Sequence, residues 1–207
     1  MLKLIVHEFA TMLVGLFTGI AGGFFFYRNR YKQLQKKSRL TMIDSFHKDV
    51  RLTLLDAVRT TDACNAVLLH MHNGGPAMAA GMRQYSSVVE EAPREAAFSA
   101  LIDWQSVFVD REYREMISEL QEKNALRILT AEMEDGLLKR RYEAMGVTAT
   151  DIFWCYETPG GPYYISFPTN SKNPLEYIGG PDFAKIEGIN NRIRNTLRKY
   201  EKMGVLH

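Results

Sequence analysis

Cysteine is scarce in this chain. Cys64 and Cys155 are its two thiols in 207 residues, too few for a disulfide framework. Both lie in apolar runs, so the expectation is two buried free thiols, which suits a reducing compartment. Enzyme signatures are also missing. The sequence holds no GxxxxGK[ST] phosphate loop, no GxSxG elbow, no HExxH helix and no Cys/His pair at a recognised local spacing. A binding protein is therefore expected rather than a catalyst. There is no repeat and no low-complexity tract. The net charge is +2, and its basic excess falls in one strip beside an apolar stretch, so no nucleic-acid partner is expected. What remains is ordinary globular material, with 46% apolar and 24% charged residues. The length suits one domain with an appendage.

Charge is absent in one place for a long stretch. Residues 9–27, FATMLVGLFTGIAGGFFFY, carry none, and that length suffices for a helix to cross a hydrocarbon layer. Directly after it come Arg28, Arg30, Lys32, Lys36, Lys37 and Arg39. Without Lys3, Glu8 and these six, 19 Lys and Arg stand against 23 Asp and Glu, so the basic strip is local to residues 28–39. A cleaved signal peptide carries its positive charge before the apolar stretch and ends in small residues; here the order is reversed. The reading is an uncleaved single-pass anchor in the inner or plasma membrane. The short segment 1–8 would lie outside and the remainder in the cytoplasm, by the positive-inside rule. Gly15, Gly19 and Gly23 share one helix face and would let two backbones approach closely, which points to a homodimer.

Beyond the basic strip the pattern is helical over 38–59, with Ile43, Phe46, Val50, Leu54 and Ala57 at spacings of three and four. No proline or glycine interrupts the path from the apolar stretch to Leu55. Residues 64–73, CNAVLLHMHN, read as a buried strand that breaks at Gly74-Gly75-Pro76. A second strand is expected over 82–91. Helices follow over 110–124, with Asp110 as N-cap, and over 134–146, with Gly146 as stop. A short strand fits 126–131. The runs 150–157 and 163–169 flank Pro159-Gly160-Gly161-Pro162 and predict a hairpin. A last helix runs from about Pro181 to Lys202. Neighbouring strands joined by hairpins give an α+β domain over 40–203, a central antiparallel sheet with helices packed on it. The least regular parts, 76–81 and 92–108, are places where loops carry function.

Several side chains could carry chemistry. On a strand, His70 and His72 share a face with Cys64, Ala66 and Leu68. Cys155 and Glu157 share a face on the hairpin. If the two strands are neighbours, His70, His72, Cys155 and Glu157 are ligand types that suit zinc. The alternative is a half-buried His70 and a His72 that begins the turn. Lys139, Arg140 and Arg141 read as a solvated helix face.

The element order, the closing GVTATDIFWCYETPGGPYYISFPT and the HNGG after the first strand resemble GAF domains, sensory modules related to PAS sheets, over roughly residues 40–203. HNGG at this place is also similar to uncharacterised GAF-like proteins, several of them encoded by bacteriophages. The resemblance implies first and last helices packed on one face of the sheet and a small-molecule pocket on the other. In such a pocket His72, Asn73, Gly74 and Gly75 would form a polar rim with Glu90 nearby; a plain turn is the competing reading for the glycines. No cysteine stands where phytochromes attach bilin, and the Asn-Lys-Phe-Asp-Glu set of cyclic-nucleotide binders has no match, so the cofactor stays unknown. The resemblance implies a membrane-anchored sensory domain that couples binding of a small molecule or partner to helix packing. The alternative is a phage-type tethered interaction module with an empty pocket, which recruits or blocks a host protein.

Overall fold

The computed structural model describes residues 2–72, 85–101, 104–170 and 183–206, with side chains from Phe24 onward. The chain divides into two compact units, Met1–Asp44 and Ser45–His207. The first consists of helix. Helix α1 is assigned over Leu2–Thr60, and the six basic residues of the strip stand exposed on it. The rings of Tyr27 and Tyr31, one turn apart, stack at 6.4 Å. Among the described residues, no helix is long and apolar enough to cross a membrane. The side chains of 9–23, including positions 15, 19 and 23, lie outside the described residues.

The second unit is α+β. Its strands are β1 (Asn65–His72), β2 (Tyr85–Pro93), β3 (Val107–Phe108), β4 (Ala125–Leu129), β5 (Ala149–Thr158) and β6 (Gly161–Thr169). They form one antiparallel sheet in the order β3-β2-β1-β6-β5-β4. Helices α2 (Arg111–Lys123), α3 (Leu137–Ala144) and α4 (Phe183–Lys202) complete it. Alternation along the strands sends side chains to two cores. On one face Ala66, Leu68, Phe153, Ile165 and Phe167 meet Phe46, Val50 and Leu54 of α1 and Ile186, Ile193 and Leu197 of α4. On the other, Val67, Leu69, Val88, Ile152 and Tyr164 meet Tyr113, Ile117 and Leu120 of α2 and Leu138 and Tyr142 of α3.

Caps fix the helix ends. Asp110 Oδ1 accepts from Tyr113 N at 2.9 Å, as the sequence predicts, and Asn124 closes α2 with φ 64°. Gly146, at φ 66°, follows α3 in the conformation a helix stop requires. The expected hairpin turn is shorter than its Pro-Gly-Gly-Pro signal. Only Pro159 and Gly160 turn, and Gly161 and Pro162 belong to β6. Likewise β2 starts at Tyr85 and runs through Pro93; its first three expected residues lie outside the described set. The two-residue strand β3 is missed by pattern reading, because it is too short to show a period.

A bulge decides how α4 docks. The β5–β6 register shifts between Trp154 and Tyr156, which takes local carbonyls out of the ladder. Helix α4 meets them: Asn190 Nδ2 donates to Trp154 O at 3.0 Å and Arg194 Nε to Cys155 O at 2.8 Å. Tyr156 donates to Glu201 Oε2 at 2.6 Å. Helices α1 and α4 are tied by Tyr200, which donates to Asp49 Oδ2 at 2.9 Å, and by the Arg192–Asp56 ion pair.

Both thiols are free and buried, as the sequence implies. Burial pushes Cys64 from 9.0 up to about 11, and pushes Tyr163 from 10.0 up to about 12 with the Glu201 charge adding to it. The unfolded chain therefore gives up these protons first. Their contribution is intact below pH 9, and is lost between pH 9 and 11 for the thiol and between 10 and 12 for the phenol. The loss is at most about 1.4 kcal/mol per group per pH unit. Urea midpoints are expected to fall from pH 9 to 11, and less so in Cys64→Ala; midpoints level to pH 11 would contradict this.

Candidate functional site

The sheet face under α2 and α3 carries a small, partly open cavity with room for about 30 Å³ of water-sized occupants. Val67 and Leu69 of β1, Val88 of β2 and Ile152 of β5 give it an apolar floor; Trp104, Tyr113, Met116, Tyr142 and Met145 wall it. None of its described lining residues carries a charged side chain.

Its polar groups fall into three sets. The first centres on Asn65, the opening residue of β1 and fully buried. Its Nδ2 donates to Glu91 Oε2 at 3.0 Å and to Phe98 O at 2.7 Å. Glu91 also accepts from Ala100 N at 2.7 Å and from the Ser99 hydroxyl. Both partners of Nδ2 are acceptors, so the amide cannot be flipped. Asn65 Oδ1 is thereby left buried with no hydrogen-bond partner, an expensive state unless something arrives to donate to it.

The second set joins β2, α2 and β6. Ser86 Oγ lies 2.6 Å from Tyr164 Oη and 3.2 Å from Tyr113 Oη, and the two phenols also bond each other. Complete burial raises both phenols above their ordinary pKa, so they are neutral donors. The third set is Tyr142 of α3 with Thr150 and Ser166, whose hydroxyls lie 2.9 Å apart. Burial raises Tyr142, and its bonds to Ser166 and Thr150 oppose that rise. At the outer wall the Arg141 guanidinium lies 5.3 Å over the Trp104 ring, so the run 139–141 is not wholly a solvated face.

The residues singled out in sequence lie elsewhere. Asn73, Gly74 and Gly75 lie outside the described residues. His72 accepts from or donates to Ser87 Oγ at 2.8 Å and stacks on Tyr85 at 6.1 Å. Burial holds its imidazole below the ordinary range. His70 stacks on Tyr163 at 4.2 Å, within the core of the α1–α4 face. Glu90 Oε2 meets His47 Nδ1 of α1 at 3.0 Å. Neither histidine nor Glu90 lines the cavity.

The four zinc candidates do not converge. Strand β1 pairs with β6, not β5. Cys64 precedes β1 and packs in the opposite core from Ala66 and Leu68, with Sγ directed to Pro168 O at 3.2 Å. The bulge puts Cys155 and Tyr156 in the same core, so Glu157 leaves the face of Cys155 and is exposed. Among the described residues, no group of three or more His, Cys, Asp or Glu could hold a metal ion.

Pattern reading takes Trp154, Tyr156, Tyr163 and Tyr164 as core packing with one or two of them at the pocket, and of these Tyr164 lines the cavity. It misses Asn65, Tyr142, Thr150 and Ser166. Their signal is present: each is a polar or hydroxylated residue set inside an apolar strand run or a helix core face. Their grouping depends on strand order, which local pattern does not give.

No family model matches the sequence, and no curated protein matches it. Solved structures do. The GAF domain of a two-component sensor histidine kinase from Bacillus halodurans is similar at TM-score 0.55 and 11% identity, over 76% of this chain and 97% of that one. A phycocyanobilin-bound GAF domain from a cyanobacterial phytochrome matches at 0.52 and 10%, over 79% and 93%. A type II free methionine-R-sulfoxide reductase from Thermoplasma acidophilum matches at 0.51 and 5%, over 77% and 96%. At these identities the likeness shows a GAF-like fold.

Proposed function

We propose that this protein is a single-pass, membrane-anchored sensor whose cytoplasmic GAF-like domain binds a small molecule and signals through helix packing. The observation that carries the reading is the cavity with an unpaired buried acceptor, Asn65 Oδ1. It lies on the sheet face opposite α1 and α4. Strand β5 serves both sides: Ile152 floors the cavity, and the bulge two residues on receives α4. A ligand that shifts β5 alters the seat of α4, and α4 is tied to α1 through Asp49 and Asp56. Binding then biases a two-state packing, as any ligand with differential affinity does.

The uncharged stretch 9–27 and its basic flank support the anchor, and Gly15, Gly19 and Gly23 support a dimer. The two buried thiols, both raised in pKa by burial, are poor nucleophiles, which favours binding over thiol chemistry. The phycocyanobilin domain shows that this fold can hold a small molecule.

Coupling is tested by filling the cavity. Met116 is half-buried at its wall, so Met116→Trp adds volume there without displacing a fully enclosed residue. In the full chain in detergent micelles, the substitution should change amide hydrogen exchange in 47–60 and 183–202. Changes confined to α2, α3 and the cavity face would count against the mechanism.

A further inference from the structure

The basic strip after the uncharged stretch is sorted in a way that orienting an anchor does not require. We infer that residues 27–39 of α1 bind the headgroups of anionic phospholipids. This rests on the proposed anchor over 9–27.

Three observations carry it. First, the cations have no acidic neighbours along their helix. No Asp or Glu occurs between Glu8 and Asp44, so none of the six has a carboxylate within four residues of it. All six are exposed. With Lys3, Glu8 and the six set aside, the remaining 19 Lys and Arg are outnumbered by 23 Asp and Glu, so the strip is where a negative surface is attracted. Second, the strip has faces. Arg28, Lys32, Lys36 and Arg39 follow at spacings of four, four and three and share one side of the helix; Arg30 and Lys37 lie on another. Next to the four-cation side run Tyr27, Tyr31 and Leu34, which are 70%, 53% and 59% exposed, with the two phenol rings stacked at 6.4 Å. Aromatic rings with one polar end suit the headgroup layer. A cationic side beside an aromatic one matches a lipid, which presents a phosphate next to glycerol and acyl carbons. The positive-inside rule needs cations but no such sorting. Third, the strip stays within reach of the surface. At about 1.5 Å of rise per residue, Arg39 lies at most about 16 Å beyond Arg28 along the helix. The headgroup layer is about 5–8 Å deep, and the potential of an anionic leaflet extends roughly a further 8 Å.

Native mass spectrometry of the full chain in detergent micelles, titrated with equimolar phosphatidylglycerol and phosphatidylcholine, reads the preference. Phosphatidylglycerol should be retained over phosphatidylcholine by roughly threefold or more. Two double variants test the face. Lys32→Gln/Arg39→Gln and Arg30→Gln/Lys37→Gln each remove one Lys and one Arg seven residues apart. The first should lower the preference by about half or more, and the second should leave it nearly unchanged. Flotation of the native chain with phosphatidylcholine vesicles after an alkaline wash tests the anchor separately. Equal retention of the two lipids by a chain that floats overturns the inference and leaves the anchor standing. A preference that Lys32→Gln/Arg39→Gln keeps, or that both double variants lower equally, overturns the proposed face. A chain that does not float removes the anchor, and the inference with it.

Discussion

Gly161→Ala is expected to cost about 3–5 kcal/mol of folding stability. Gly161 opens β6 at φ +140°, a region L side chains rarely adopt. A Cβ there would lie 1.9 Å from Met71 O and 3.1 Å from Met71 C. The obstacle is backbone of the paired strand β1, which cannot rotate aside as a side chain would. Relief requires β1 and β6 to part, and these are the two central strands of the sheet. Gly188 supplies the contrast. It lies in α4 with nothing within 4 Å of a built Cβ and is exposed, so Gly188→Ala should stabilise by about 0.5–1 kcal/mol through helix propensity. Urea denaturation of both variants, with slopes compared, checks the pair. A Gly161→Ala loss below about 1 kcal/mol would show that the close approach of β6 to Met71 is not tightly held.

Glu91→Ala should be nearly as damaging, at about 3 kcal/mol or more. Glu91 is buried and accepts from Asn65 Nδ2, Ala100 N and the Ser99 hydroxyl. Removing the carboxylate leaves buried donors without acceptors, each costing about 1–3 kcal/mol. Glu91→Gln keeps one oxygen but brings an NH2 against donors, so it should fall between native and Glu91→Ala. The substitution also reaches the cavity wall: without Glu91 the Asn65 amide keeps Phe98 O as its one acceptor. Equal stability of Glu91→Ala and the native chain would overturn this network.

The fold was largely legible in the sequence, and the site was not. Period and capping place α2, α3 and the β5–β6 hairpin, because Asp110, Gly146 and the Pro-Gly break act locally. Alternation before HNGG places His70 and His72 together on one face, where their rings lie 5.9 Å apart. It does not say which face. In β1 the apolar residues point both ways, since the strand is covered on both sides, so the histidines' face could not be told from the cavity's. Glu90 and Glu91 show the limit most clearly. Adjacent in sequence and alike in chemistry, they lie on opposite faces of β2: Glu90 meets His47 of α1, and Glu91 supports Asn65 beside the cavity. The bulge at Cys155, which flips Glu157, has no local sequence mark at all.

The most direct measurement is native mass spectrometry of the full chain, released from detergent micelles, alongside denaturing mass spectrometry of the same sample. The account predicts a non-covalent mass adduct on the native chain that vanishes on denaturation and is absent from Met116→Trp. An adduct that persists in Met116→Trp would contradict the cavity as the binding site. A clean apo mass in both would contradict the sensor reading and favour a tethered interaction module whose cavity stays empty.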